Sequence, residues 1–162
     1  MKSRKEMPYK MAIAVGSDHG GFGLKKDIID FLTAWHYKVK DFGTKNEARC
    51  DYPPVAYKVA SAVMAGEFER GILICKSGIG MCIAANKVNG IRAAFLTDSE
   101  NARLSREHND ANIAIFSGKS MTISKAKKIL DVWLSADFEG GRHFTRVKQI
   151  KQIEQKMRRR CK

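Results

Sequence analysis

Three short stretches of this chain bring together residue types that can move a proton and hold an anion. Cys75 ends the apolar run GILIC and is followed at once by Lys76-Ser77-Gly78-Ile79-Gly80. A glycine-rich turn at the start of a helix aims backbone N–H groups and the helix dipole at one spot, which suits an oxyanion. A thiol at the lip of that spot has its thiolate favoured by the dipole and by the Lys76 cation. The plain alternative is a buried structural cysteine, and Cys82, inside the next helical pattern, is read that way. The second stretch is Asp18-His19 in the loop Gly16-Ser17-Asp18-His19-Gly20-Gly21, where polar residues capping a loop explain the pattern equally well. The third joins His108-Asn109-Asp110 to Gly140-Gly141-Arg142-His143 and Arg146. Two arginines four residues apart share a helix face and suit a phosphate by bidentate hydrogen bonding. Solvated charge in a basic tail is the alternative there.

Nucleotide motifs do not fit. Gly16, Gly20, Gly21 and Gly23 follow a strand pattern, and Asp41 ends the next one, as in a dinucleotide fingerprint. However, Gly21-x-Gly23 then needs glycine where Lys26 stands. A phosphate-binding loop from Gly16 to Gly21 needs lysine where Phe22 stands.

These stretches are held by short apolar runs alternating with helical patterns. Strands are expected at 11–15, 37–42, 71–75, 91–95 and 112–116. Helices are expected at 22 to about 35, 53–64, 79–87, 98 or 99 to 107, 121–134 and 146 to about 156. Leu24, Ile28, Phe31 and Leu32 recur at helical spacing, and Pro53 and Pro54 suit a helix start. Continuous apolar strands between helices argue for an α/β fold: a three-layer αβα sandwich around a five-stranded, parallel, Rossmann-like sheet. Ligands in such folds sit beyond the carboxyl ends of the strands, where the Asp18 and Cys75 loops fall.

Composition narrows the class. The chain has 162 residues, 44% hydrophobic, enough for one domain with a real core. Its formal charge of +13 is concentrated at the ends. Lys2, Arg4, Lys5 and Lys10 form a basic extension over residues 1–10. Arg158, Arg159, Arg160 and Lys162 form a basic tail over 157–162, leaving a single domain at 11–156. A charge so placed argues against a specific nucleic-acid role. Cys50, Cys75, Cys82 and Cys161 show no paired spacing, so no zinc site, redox dithiol or disulfide framework is signalled. No run approaches the roughly 20 apolar residues of a membrane span. A cytoplasmic protein without membrane attachment is expected.

Taken in order, Gly16-Ser17-Asp18-His19-Gly20-Gly21, Asp51-Tyr52-Pro53, Gly71 to Cys75 with Ser77-Gly78-Ile79-Gly80, Ala84-Ala85-Asn86-Lys87, Ser105-Arg106 with His108-Asn109-Asp110, and Glu139-Gly140-Gly141-Arg142-His143 form one pattern. It resembles the ribose-5-phosphate isomerase B family, which also includes galactose-6-phosphate isomerases, over roughly residues 11–156. The resemblance implies an aldose–ketose isomerase of the pentose phosphate pathway. It would interconvert ribose 5-phosphate and ribulose 5-phosphate through an enediolate, without cofactor or metal. It further implies Cys75 as the base, Ser77 in a catalytic anion hole formed with Lys76, Gly78, Ile79 and Gly80, and His108 as the ring-opening acid/base. Asp18, His19, Tyr52 and Asn109 would contact the sugar, with Arg142, Arg146 and Lys119 on the phosphate. Some family members use a glutamate four residues after the cysteine position, where this chain has Ile79, which supports Cys75. Because several such residues come from a neighbouring subunit in the family, at least a homodimer with shared sites is implied, with a tetramer as the larger alternative and the C-terminal helix packing on the partner. The family usually has glycine where Lys76 stands. If that position needs φ > 0, lysine costs about 1–2 kcal/mol there; otherwise it adds a cation beside the thiolate. Two alternatives remain: a six-carbon substrate (allose or galactose 6-phosphate), and a non-catalytic nucleotide- or RNA-binding protein on the same fold.

Overall fold

The computed structural model describes residues 11–160. The basic extension and the end of the basic tail, with Cys161, lie outside the described residues. The elements run β1 (Ala12–Ser17), α1 (Phe22–Ala34), β2 (Lys38–Asp41), α2 (Tyr52–Met64), β3 (Arg70–Cys75), α3 (Ile79–Ala85), β4 (Ala93–Phe95), α4 (Ser99–Glu107), β5 (Ile113–Ser117), α5 (Ile123–Ser135) and α6 (Gly141–Arg160). All strand pairs are parallel, in the order β2-β1-β3-β5-β4. Helices cover both faces, as the run of apolar strands requires.

Local chemistry accounts for the boundaries. Pro53 and Pro54 sit in the first turn of α2, where a missing N–H costs nothing. Asp98 caps α4 by accepting from the Asn101 amide at 2.7 Å, and Thr122 caps α5 by accepting from Lys125. One expectation needs correction: α6 begins at Gly141, not Arg146, and runs to Arg160. Gly140 and Gly141 take φ values of +69° and +52°, a geometry that lets the chain turn straight into the helix. Arg142, His143 and Arg146 therefore share one helix.

The central strand β3 decides where the thiol points. Side chains alternate across a sheet. Ile72 and Ile74 pack into the core shared with α1 and α5, and Leu73 and Cys75 into the core shared with α2 and α3. Cys75, 4% exposed, is thereby turned towards the start of α3.

Candidate active site

Beyond the carboxyl ends of β1, β3 and β5, three loops meet at van der Waals contact. A side chain at Gly20 would lie 2.8 Å from the Lys76 Cβ, so glycine is what lets the loops close. The Lys76 carbonyl accepts from the Ser117 hydroxyl (2.9 Å) and the Lys119 amide (3.1 Å), and the Gly118 amide donates to the Cys75 carbonyl. Lys76 itself has no positive φ, since His36 and Asp110 are the non-glycine residues with that geometry among those described. The lysine is thus unstrained, and its exposed side chain stands next to the thiol-bearing residue.

The thiol faces a donor. The Gly78 N–H donates to Cys75 Sγ at 3.2 Å, so the sulfur accepts a hydrogen bond from the turn that follows it. Gly78 can present its amide this way because it sits at φ +81°, and a Cβ there would lie 2.2 Å from the Phe95 ring. Replacing Gly78 with alanine is therefore expected to cost at least about 1–2 kcal/mol of stability and to lower turnover. Thermal unfolding and steady-state kinetics on the same preparation check both. A Gly78→Ala protein with unchanged turnover would detach the turn from the chemistry. Ile79 extends outward, 61% exposed, and the Ser77 hydroxyl accepts from its amide at 3.4 Å. The Tyr52 ring at the start of α2 lies against Gly80.

Asp18 and His19 complete this end. Asp18 is buried, and its Oδ1 has no hydrogen-bond partner among the described residues; Ser17 Oγ is in the same condition. Buried polar atoms of this kind normally have a partner, so these two have unused capacity. His19 Nδ1 lies 3.2 Å from both the Cys50 amide nitrogen and the Cys50 carbonyl oxygen. That contact ties the loop between β2 and α2, and hence Tyr52, to the Asp18 turn.

The remaining candidates gather elsewhere. His108 and Asn109 end α4 and precede β5, so they lie at the amino ends of the strands. Asn112, which follows them, accepts at its carbonyl from the Gly71 amide at the start of β3. Cys75 pairs with Ser117 at the other end of β5. The five residues of β5 separate the two groups by about 13 Å along the strand. His108 stacks on His143, with ring centroids 4.0 Å apart and planes 5° apart, and the Arg142 Nε donates to His143 Nε2 at 3.3 Å. Arg142 and Arg146 are exposed one turn apart on α6. One chain therefore holds two half-clusters: Asp18, His19, Tyr52, Cys75 to Gly80 and Lys119 at one end, and His108, Asn109, Arg142 and Arg146 at the other.

A matching pair of half-clusters in one order is distinctive, and comparison with known proteins resolves it. Residues 13–150 match the model of the Ribose/Galactose Isomerase family. This chain belongs to that family. It is homologous to ribose-5-phosphate isomerase B: the Escherichia coli K12 protein of that name is 48% identical over 144 residues, covering 89% of this chain and 97% of the relative. The Clostridium thermocellum ribose-5-phosphate isomerase B structure is 54% identical, with a TM-score of 0.90, over 91% of this chain and 99% of that one. The Mycoplasma genitalium structure, with bound ribulose 5-phosphate, is 40% identical with a TM-score of 0.86, over 91% and 98%. Family membership makes the chain an isomerase, and the non-catalytic alternative falls.

Several features of this isomerase were not legible as site features. His143 is almost fully buried under His108; burial first, then His108, Arg142 and Arg146, holds its imidazole below the ordinary histidine range. Glu139 lies near both rings, 3.8 Å from His108 and 3.6 Å from His143. Asp41, placed where a ribose-binding acid could sit, instead pairs with the buried Lys25 at 2.6 Å, and the same ammonium donates to the Thr44 carbonyl. Burial pushes the Cys82 thiol up, as expected of a structural cysteine. No helix among the described residues is long and apolar enough to cross a membrane.

Proposed function

We propose that this isomerase interconverts ribose 5-phosphate and ribulose 5-phosphate, with Cys75 moving the proton. The observation that carries the reading is the Cys75 thiol at a buried strand end, 3.2 Å from the Gly78 amide. The thiolate removes the proton α to the carbonyl. The turn amides from Ser77 to Gly80, with the Ser77 hydroxyl, hold the developing oxyanion, and the thiol returns the proton to the adjacent carbon. Asp18 and His19 bind the sugar hydroxyls, consistent with the unused Asp18 oxygen, and Tyr52 lines the site. Positioned acid–base catalysis supplies about 10²–10⁴-fold, and an oxyanion donor about 10²–10³-fold, so both are required. Lys76 and Lys119 add positive charge around the intermediate and the phosphate.

His108, Asn109, Arg142 and Arg146 serve the site of a second copy. The strand-length separation within one chain supports this, as does α6. Its Phe144, Ile150, Ile153 and Met157 are exposed, as are Ile79 and Ile83 on α3. Ile150, Ile153 and Met157 share one face of α6, and exposed apolar side chains in this number fit a homodimer contact. His108 opens the sugar ring, Asn109 holds a substrate hydroxyl, and the arginines clamp the phosphate. Replacing His108 with alanine should then impair turnover of ring-closed substrate far more than that of an open-chain analogue; equal losses on both would remove this role.

Turnover of ribose 5-phosphate against allose and galactose 6-phosphates tests the substrate assignment. The pentose phosphate should be isomerised with the highest kcat/KM, and preference for a hexose phosphate would overturn it.

A further inference from the structure

We infer that Asp110, held between Arg92 and Arg106, is a positioning residue that sets the pose of His108 and Asn109 for the site of a second copy. The inference deepens the reading proposed above and rests on it. A half-cluster that works in another chain's site is not shaped by that site before the two copies meet. Its geometry must therefore be set within its own chain, to the sub-ångström tolerance that catalytic groups require.

Two side chains from different elements close on the turn. α4 ends at Glu107, and the chain doubles back through two bonds: Asp110 N–H to the Arg106 carbonyl (3.0 Å) and Ala111 N–H to the Ser105 carbonyl (2.9 Å). His108 and Asn109 lie in the loop that these bonds close. Asp110 makes the reversal at φ +49°, in the left-handed region that few residues besides glycine, asparagine and aspartate adopt. Its carboxylate is divided between two guanidinium groups. Oδ2 accepts from Arg92 at 2.9 Å, and Oδ1 accepts from Arg106 at 2.8 Å. The Arg92 Nε also donates to the carbonyls of Asn109 (3.0 Å) and Asp110 (2.9 Å), so one planar fork grips backbone and side chain together.

Arg106 extends the grip towards the arginine-bearing helix. It is buried, and besides Asp110 it donates to the carbonyls of Ala111 (2.7 Å) and of Ala136 (3.3 Å), where α5 ends. Three residues on, the Glu139 amide donates to the Glu107 carbonyl at 3.0 Å. The segment leading into α6 is thus tied to the turn that carries His108, and His143 of α6 stacks on His108. Ion pairs of this kind add little net stability, because desolvation offsets their attraction. Their effect here is on direction.

The test compares Asp110→Gly and Asp110→Asn in the full chain. Glycine keeps the positive φ and deletes the carboxylate alone, while Arg106 retains two carbonyl partners, so the variant should fold. Asparagine keeps the backbone geometry and an oxygen acceptor. Histidine-selective NMR reads the pose directly, since stacked imidazoles shift each other's ring protons and the chain has only 4 histidines. In Asp110→Gly the His108 resonance should lose this shift while those of His19 and His36 stay in place. Turnover of ribose 5-phosphate should fall about a hundredfold, as for a misplacement of about 1 Å, with Asp110→Asn in between. Mixing supplies a readout that a merely unfolded chain would fail. Asp110→Gly should recover activity with Cys75→Ala, to roughly a quarter of wild type, but not with Arg142→Ala/Arg146→Ala. A His108 resonance and turnover both unchanged in Asp110→Gly would overturn the proposal, as would recovery with the arginine variant. Recovery with neither, where Cys75→Ala and the arginine variant do rescue each other, would make Asp110 a folding residue and also overturn it. If that control pair fails, the shared-site reading falls, and the His108 resonance with turnover decides the positioning role within one chain. A displaced His108 with full turnover would overturn its ring-opening role, and with it any catalytic reason for the clamp.

Discussion

Cys75→Ala protein should lose at least about a hundredfold in turnover, the lower bound for removing an acid–base group, while remaining folded and still binding phosphate. Cys75 is packed with Leu73, Ile115 and Met81 on the α2–α3 side of the sheet, so removing its sulfur empties about one heavy atom of core. That costs about 1 kcal/mol and lowers Tm by about 2–4 °C for a chain of this length. Circular dichroism and a thermal scan separate this small loss from the kinetic one. Serine sharpens the comparison. Cys75→Ser keeps an acceptor for the Gly78 amide, but its hydroxyl is too weakly acidic to supply a base near neutral pH. If the thiol only ordered the turn, serine would restore activity; if it moves the proton, serine should be as inactive as alanine. An alanine variant retaining more than a hundredth of wild-type turnover would remove Cys75 from the mechanism.

Mixing two inactive proteins should restore activity. Cys75→Ala damages one half-cluster, and Arg142→Ala/Arg146→Ala damages the other. If each site draws its halves from two copies, a mixed dimer contains one intact site and one doubly damaged site. Random exchange of equal amounts makes about half the dimers mixed, so activity should recover to roughly a quarter of wild type. The arginine variant alone should show chiefly a raised KM and weakened inhibition by phosphate, because it loses anchoring shared by ground and transition states. No recovery after verified subunit exchange would assign the arginines to their own chain's site, or to none.

The architecture was readable because each strand carries a strong apolar signal bounded by glycine or polar residues. The run GILIC at 71–75 could only be a buried strand, and it is the centre of the sheet. The start of α6 was not readable: Gly140-Gly141 breaks the helical pattern, and glycine is neutral about which side of it a helix begins. The motif residues were legible as a set, yet single residues were ambiguous, because a lone cysteine or histidine fits many burial states. What the sequence could not express is which residues face each other. His143 shows no sign of being buried beneath His108, since the stacking joins α4 to α6 across 35 positions of chain. The Lys25–Asp41 pair was hidden for the same reason, and Asp41 at a strand end invited a ligand role that its partner already fills.

The placement of the two half-clusters at opposite ends of the sheet has a consequence for how variation in this protein reads. On the proposed arrangement a solitary chain is inactive, however well folded it is. Specific activity would then fall on dilution as dimers dissociate, and the association equilibrium itself would set the output. Residues such as Ile153 and Met157, which would touch no sugar, would behave as genetic determinants of catalysis, because loosening their contacts would empty sites at a distance. A defect caused by such a change would be relieved by raising protein concentration, whereas one at Cys75 would not.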